Sequence, residues 1–361
     1  MGKYKIIYIF ISILVLIYSC KKTAQEHFTI GDCASAANTT PFKLNISSNF
    51  SQPTIPVNNP LTKEGVALGR MLFYDPALSR DGTISCGSCH KQRYAFTDST
   101  NRLSTGIDGF RSDRNTMPIY NLVWNNLGFF WDGRAQTLAK QALMPIANLH
   151  EMGENINTLV ARLNKHKMYP KLFKDAFGIT KITEDYIAKA LTQFETTLIS
   201  DDSRFDRWVR KEPRGFLTGE EQRGMDLYND RDKGACNLCH NSDAAFTTFA
   251  YFDIGLDQKY TDLGQYYTTL DTNDMGKFRT PSLRNLAFTS PYMHDGRFDK
   301  LEDILEFYNN GFHATNNINV NIRRHKKGRL AKGEQKAIIA FLNTLNDSSF
   351  ITNPAFKDPN K

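Results

Sequence analysis

The chain has 361 residues, 40% of them apolar, and a formal net charge of +7. That length exceeds one typical domain, and the apolar share is ordinary for a globular protein, so two lobes that each bury a core are expected. The positive excess is mild and spread out, and the local runs Lys165 to Lys174 and Arg323 to Lys327 read as solvated faces. This argues against nucleic acid as a partner.

At the N-terminus, Lys3 and Lys5 precede a near-continuous apolar stretch from Ile6 to Tyr18. It is shorter than the ~20 residues of a membrane-spanning helix and has the layout of a signal peptide. Residues 1–20 therefore read as a lipoprotein-type leader. They end in Ile17-Tyr18-Ser19-Cys20, similar to the site where bacterial lipoproteins are lipidated on cysteine, although Tyr18 is bulky for it. Acyl chains on Cys20, at ~0.8 kcal/mol per buried CH₂, would anchor the protein on the periplasmic side of a Gram-negative membrane. Ordinary signal cleavage is the alternative. Residues 21–59, rich in Thr, Ser, Asn and Pro, read as a tether followed by an extended segment. Cys33 in that tether reads as an incidental thiol.

Helical patterns follow. Thr62 opens a helix through Val66, Arg70 and Phe73, and Cys86-Gly87-Ser88-Cys89-His90 comes next. From Thr183, Ile187, Leu191, Phe194 and Leu198 recur on one helical face. The polar stretch Ser200 to Gly219 marks the boundary between lobes at 60–205 and 206–361. Thr218-Gly219-Glu220-Glu221 is a capping box that opens a helix through Met225 and Tyr228, leading to Cys236-Asn237-Leu238-Cys239-His240. Ile338, Ile339, Phe341, Leu342 and Leu345 mark a last amphipathic helix.

Both cysteine motifs are C-x-x-C-H, the pattern of covalent c-type heme attachment. Two thiols one helical turn apart add to the two vinyl groups of a heme, and the adjacent histidine reaches the iron. A thioredoxin-like redox motif needs a βαβ setting that neither segment shows, and the two pairs lie too far apart for a compact zinc module. The expected fold is mainly α, with two cytochrome c-like domains, long loops and one covalently bound heme in each. His90 and His240 are the expected iron ligands, and Cys86, Cys89, Cys236 and Cys239 the attachment points.

Phe130-Trp131-Asp132-Gly133-Arg134-Ala135, Glu151-Met152, Thr280-Pro281-Ser282-Leu283-Arg284-Asn285 and Pro291-Tyr292-Met293-His294-Asp295-Gly296 together resemble the bacterial diheme cytochrome c peroxidases. The resemblance covers about residues 60 to 345. It implies that peroxide binds at the N-terminal heme held by His90. The C-terminal heme held by His240 would accept electrons from a donor protein such as a small c-type cytochrome. It further implies Trp131 as an electron relay between the hemes and Glu151 as the carboxylate that moves a proton during O–O cleavage. A Ca²⁺ ion at the domain junction, held by the Asn115 side chain and the carbonyls of Thr289 and Pro291, is likewise implied. Homodimers are common in the family, though no residue here argues for one independently.

Two positions depart from the common pattern. Where many of these peroxidases carry a distal histidine, this chain has Ile107, so the His90 iron is expected to be five-coordinate or water-bound without prior reduction. The usual distal methionine of the electron-accepting heme is replaced by Tyr308, which suits the MauG-like branch, with packing alone, or ligation by Met293 or Met275, as alternatives. Phenolate ligation lowers the potential of an iron, whereas methionine raises it. Three functions remain open on these grounds: peroxide reduction, MauG-like peroxide-dependent oxidation of a partner protein or small molecule, and plain electron carriage. Glu151 and Ile107 weigh against the carrier.

Overall fold

Residues 39–241, 244–323 and 329–361 are described by a computed structural model. The leader with Cys20, the tether residue Cys33 and most of the basic run 323–327 lie outside the described residues. The principal helices of the first half are α1 (Lys63–Tyr74), α2 (Cys86–Cys89), α3 (Leu138–Ala147), α4 (Ile156–Lys165), α5 (Tyr169–Phe177) and α6 (Glu184–Thr196). They are followed by α7 (Arg204–Val209), α8 (Gly219–Asn229), α9 (Leu301–Glu306), α10 (Lys332–Asn343) and α11 (Ser348–Thr352). Among the described residues strand is confined to the short antiparallel pair β1 (Tyr251–Phe252) and β2 (Phe278–Arg279), with Tyr251 opposite Arg279. The fold is thus mainly helical, as expected. Among the described residues no helix is long and apolar enough to cross a membrane.

The helix starts follow their caps. The Thr62 hydroxyl accepts the Gly65 N–H at 3.0 Å at the head of α1. Thr218 and Glu221 form a reciprocal capping box at the head of α8. Two close helix crossings recur in the fold. In α1, a Cβ on Gly69 would lie 1.9 Å from the Ala190 carbonyl oxygen of α6 and 2.9 Å from Cβ of Phe194. In α8, a Cβ on Gly224 would lie 1.9 Å from the Ala337 carbonyl oxygen of α10 and 3.0 Å from Cβ of Phe341. Only glycine permits backbones to approach so closely. The surroundings repeat too: Leu72 and Phe73 follow Gly69 at the same offsets as Leu227 and Tyr228 follow Gly224. These residues, with Phe194 and Phe341, are buried in two separate apolar clusters.

The polar stretch 200–219 is a structured connection rather than a free linker. It contains α7, whose Asp206 forms an ion pair with Arg284, both side chains having 0% exposure. The Tyr120 hydroxyl donates to the Arg284 carbonyl at 2.6 Å, and the extended segment joins in through Asn49 Nδ2 on Asp206 Oδ1 at 2.9 Å. Helix α10 is not the last: α11 and the turn after it carry Phe350 and Phe356 into the apolar cluster of α1 and α6. There the Tyr74 hydroxyl donates to the Phe356 carbonyl at 2.7 Å, and Gln92 Nε2 to the Asn353 carbonyl at 2.8 Å.

Candidate functional site

The two cysteine motifs have the same local geometry. In each, a single helical turn carries the cysteines, and the histidine N–H donates to the first cysteine's carbonyl: His90 to Cys86 and His240 to Cys236, both at 2.8 Å. Ring Nδ1 of His90 lies 2.9 Å from the Phe96 carbonyl, and ring Nδ1 of His240 lies 2.9 Å from the Pro281 carbonyl. A carbonyl only accepts, so Nδ1 carries the proton and Nε2 keeps its lone pair, the form that ligates metal. Burial pulls both rings' pKa down, that of His240 to about 4, which keeps them neutral. The Tyr228 hydroxyl secures the second motif by donating to the His240 carbonyl. Among the described residues all four motif cysteines are unpaired. Burial pushes their thiols up, Cys89 and Cys239 to about 11 and Cys236 to about 12. Among the described residues no cluster of His, Cys, Asp or Glu is large enough to hold a metal ion by itself.

A cavity of about 710 Å³ opens on the first motif, lined by Cys86, Cys89, His90, Trp131, Gln141 and Glu151 among others. That volume is in the range of small-molecule and cofactor sites. Glu151 is held rigidly. Its N–H donates to the Asn148 carbonyl at 3.0 Å, its carbonyl accepts the Ile107 N–H at 2.9 Å, and Oε1 accepts from Asn148 Nδ2 at 2.9 Å. Burial raises its pKa, with the Asn148 bond opposing, so the carboxyl holds a proton more readily than an exposed one. Ile107 is buried but does not line the cavity; its side chain lies over Gly153, and its backbone is what positions Glu151.

Trp131 ties the segment at Asn115 to β2. Its indole N–H donates to the Asn115 carbonyl at 2.8 Å, and its own carbonyl accepts the Arg279 N–H at 2.8 Å. The ring meets His294 edge-on at 6.5 Å. Asn115 in turn donates its backbone N–H to the His294 carbonyl at 2.7 Å and its Nδ2 to the Arg102 carbonyl at 2.9 Å. Its Oδ1 and the carbonyls of Thr289 and Pro291 accept no hydrogen bond among the described residues, which leaves these oxygens available to a hard cation.

Tyr308 lies in a π-helical turn, Phe307–Gly311, that continues α9. Such turns recur at functional sites because they re-aim a side chain out of helical register. The ring packs on Phe307 at 5.2 Å, and the hydroxyl makes no hydrogen bond among the described residues. Burial raises its pKa, and Cys236 and Cys239 are near enough for their charge to act on it. Tyr308 therefore belongs to the second motif's surroundings. Met293 packs into the same apolar cluster; Met275 lies outside it.

Two cavity residues carry no sequence signal of their own. Gln141 presents a buried Oε1 without a hydrogen-bond partner. Glu195 is buried, its Oε2 unpartnered, and desolvation raises its pKa to about 8. Neutral histidines with Nδ1 held by a carbonyl, unpaired thiols one turn apart and unsatisfied polar groups facing an open cavity all fit a covalently attached heme.

Residues 63–214 and 223–348 match the di-haem cytochrome c peroxidase family. The methylamine utilization protein MauG of Methylorubrum extorquens is 34% identical over 339 residues, covering 91% of this chain and 93% of that protein. The cytochrome c551 peroxidase of Nitrosomonas europaea is also 34% identical, covering 86% and 87%. Among solved structures, a MauG-like protein associated with microbial copper homeostasis superposes with a TM-score of 0.80 at 32% identity. It covers 89% of this chain and 100% of that one.

Proposed function

The chain belongs to the di-haem cytochrome c peroxidase family, and on that premise we propose that it reduces hydrogen peroxide to water with electrons from a donor protein, such as a small c-type cytochrome. The observation that carries this reading is the shared cavity, which brings the buried Glu151 carboxyl, its pKa raised by desolvation, to the motif that bears His90. Two heme c groups would be held at Cys86, Cys89 and His90, and at Cys236, Cys239 and His240. Bound there, they supply the iron that takes up peroxide and the path by which electrons arrive. Glu151 transfers a proton from the inner to the departing peroxide oxygen, a service that contributes typically ~10²–10⁴-fold. The unpartnered Gln141 Oε1 accepts a hydrogen bond from the peroxide and orients it. Trp131, fixed at both its indole N–H and its carbonyl, keeps the lobes in register for electron passage. Ile107 offers no ligating atom, so a heme held at His90 would take up peroxide without prior reductive activation.

Tyr308, near Cys236 and Cys239, would be among the residues that hold the heme attached at His240, and that placement supports a second reading, peroxide-dependent oxidation of a partner protein or small molecule. Ca²⁺ at Asn115, Thr289 and Pro291 would brace the junction on which Trp131 depends. Export to the periplasmic side with lipid on Cys20, and a homodimeric assembly, complete the proposal. Steady-state turnover of peroxide with a reduced small cytochrome c tests it: two cytochromes oxidised per peroxide is the expected result. Peroxide consumption without cytochrome oxidation, but with oxidation of an added phenol or protein, would favour the second reading.

A further inference from the structure

Arg279 is a buried cation without a counter-charge. The other deeply enclosed arginines of this region are matched: Arg284 pairs with Asp206, and Arg114 with both Asp132 and Asp262. Arg279 is 5% exposed and lines the cavity, yet forms no ion pair among the described residues. Its Nε has no hydrogen-bond partner, its Nη2 reaches only the Met117 sulfur at 3.3 Å, and its guanidinium carbon lies 5.8 Å from the Phe249 ring centre. Burial lowers its pKa only to about 10, so it stays charged at neutral pH. An isolated buried charge costs several kcal/mol, and a thioether is a weak acceptor for a guanidinium with five donors. The site calls for an anion.

Its position says which one. Arg279 sits on β2, hydrogen-bonded through its backbone to Trp131. Two residues on, the Pro281 carbonyl holds Nδ1 of His240. Met117, which the guanidinium touches, contributes a backbone hydrogen bond to His90. The charge therefore stands between the elements that orient the two histidines. Resting on the diheme reading above, we infer that Arg279 binds a propionate carboxylate of the heme attached at Cys86 and Cys89. Its fixed positive charge would then hold up that heme's reduction potential. Arginine suits the role, because its planar fork pairs with a carboxylate through two parallel hydrogen bonds. Losing the cation removes an electrostatic penalty on the oxidised iron, so the potential must fall.

The full chain carrying Arg279→Gln or Arg279→Lys tests this. A pyridine hemochrome assay first counts hemes, and spectroelectrochemical titration then gives both midpoints, the cavity heme being assigned by its cyanide-induced spectral change. Arg279→Gln should lower the midpoint of the cavity heme more than that of the other, and Arg279→Lys should retain most of the unaltered value. An unmoved midpoint in Arg279→Gln with both hemes attached would overturn the inference, as would an equal fall in both variants. If Arg279→Gln fails to mature, Arg279→Lys decides: a midpoint near that of the unaltered protein supports the charge, and a large fall or loss of heme refutes it. Fewer than two hemes in the unaltered protein would instead refute the diheme reading itself.

Discussion

Replacing Glu151 by Gln isolates proton transfer from everything else the residue does. The backbone of residue 151 is pinned by Asn148 and Ile107 whatever the side chain, and an amide oxygen can still accept the Asn148 Nδ2–H now made at 2.9 Å. The variant should therefore fold, bind both hemes and keep the shape of the cavity. What it lacks is a group that gives and takes a proton. General acid–base help of ~10²–10⁴-fold corresponds to about 3 to 5 kcal/mol of barrier, and that loss should fall on the peroxide step alone. Stopped-flow absorbance after one equivalent of peroxide measures it directly, with cyanide affinity as the control for an intact site. A slowing of less than about tenfold, with cyanide binding unchanged, would remove Glu151 from the chemistry.

Tyr308→Phe should alter the electron paramagnetic resonance spectrum of the His240 heme and leave the His90 heme as it was; identical spectra would reduce Tyr308 to packing. Glu195 holds its proton up to about pH 8 when folded against 4.5 as the ordinary value. The stability it confers is complete below the ordinary value and lost as pH rises towards 8, by roughly 3 kcal/mol at pH 7. Glu195→Gln should flatten that decline in thermal melts across this window, and parallel pH profiles for both proteins would contradict the assignment. Gly224→Ala places a Cβ 1.9 Å from the Ala337 carbonyl oxygen. The overlap, typically ~1–3 kcal/mol or more, outweighs the ~1 kcal/mol that alanine adds to a helix, so the melting temperature should fall; an unchanged or raised value would show that the helices can part cheaply.

Much of this was legible before any coordinates. The paired C-x-x-C-H motifs, the caps at Thr62 and Thr218 and the apolar stripes of α6 and α10 are local signals, and local signals survive translation into structure. Glu151 and Trp131 are legible through their neighbours in the chain, and both line the cavity. The residues that escaped notice are those whose meaning is a matter of partners. Arg279, Gln141 and Glu195 are unremarkable letters until burial shows that nothing answers their charge or their hydrogen-bonding atoms. The return of Phe350 and Phe356 to the cluster of α1 and α6 is hidden for a related reason: two aromatic residues in a short polar tail carry no periodicity. Ile107 was read for what its side chain cannot do. Its contribution to the site is a backbone N–H on Glu151, which any residue but proline could supply there.

Of the two proposed hemes, only the one beside Glu151 should take up a small ligand. Titrating the fully oxidised protein with cyanide, without prior reduction, counts the hemes that do. One cyanide bound per chain is expected, at the heme attached through Cys86 and Cys89; none, or two, would contradict the proposed function.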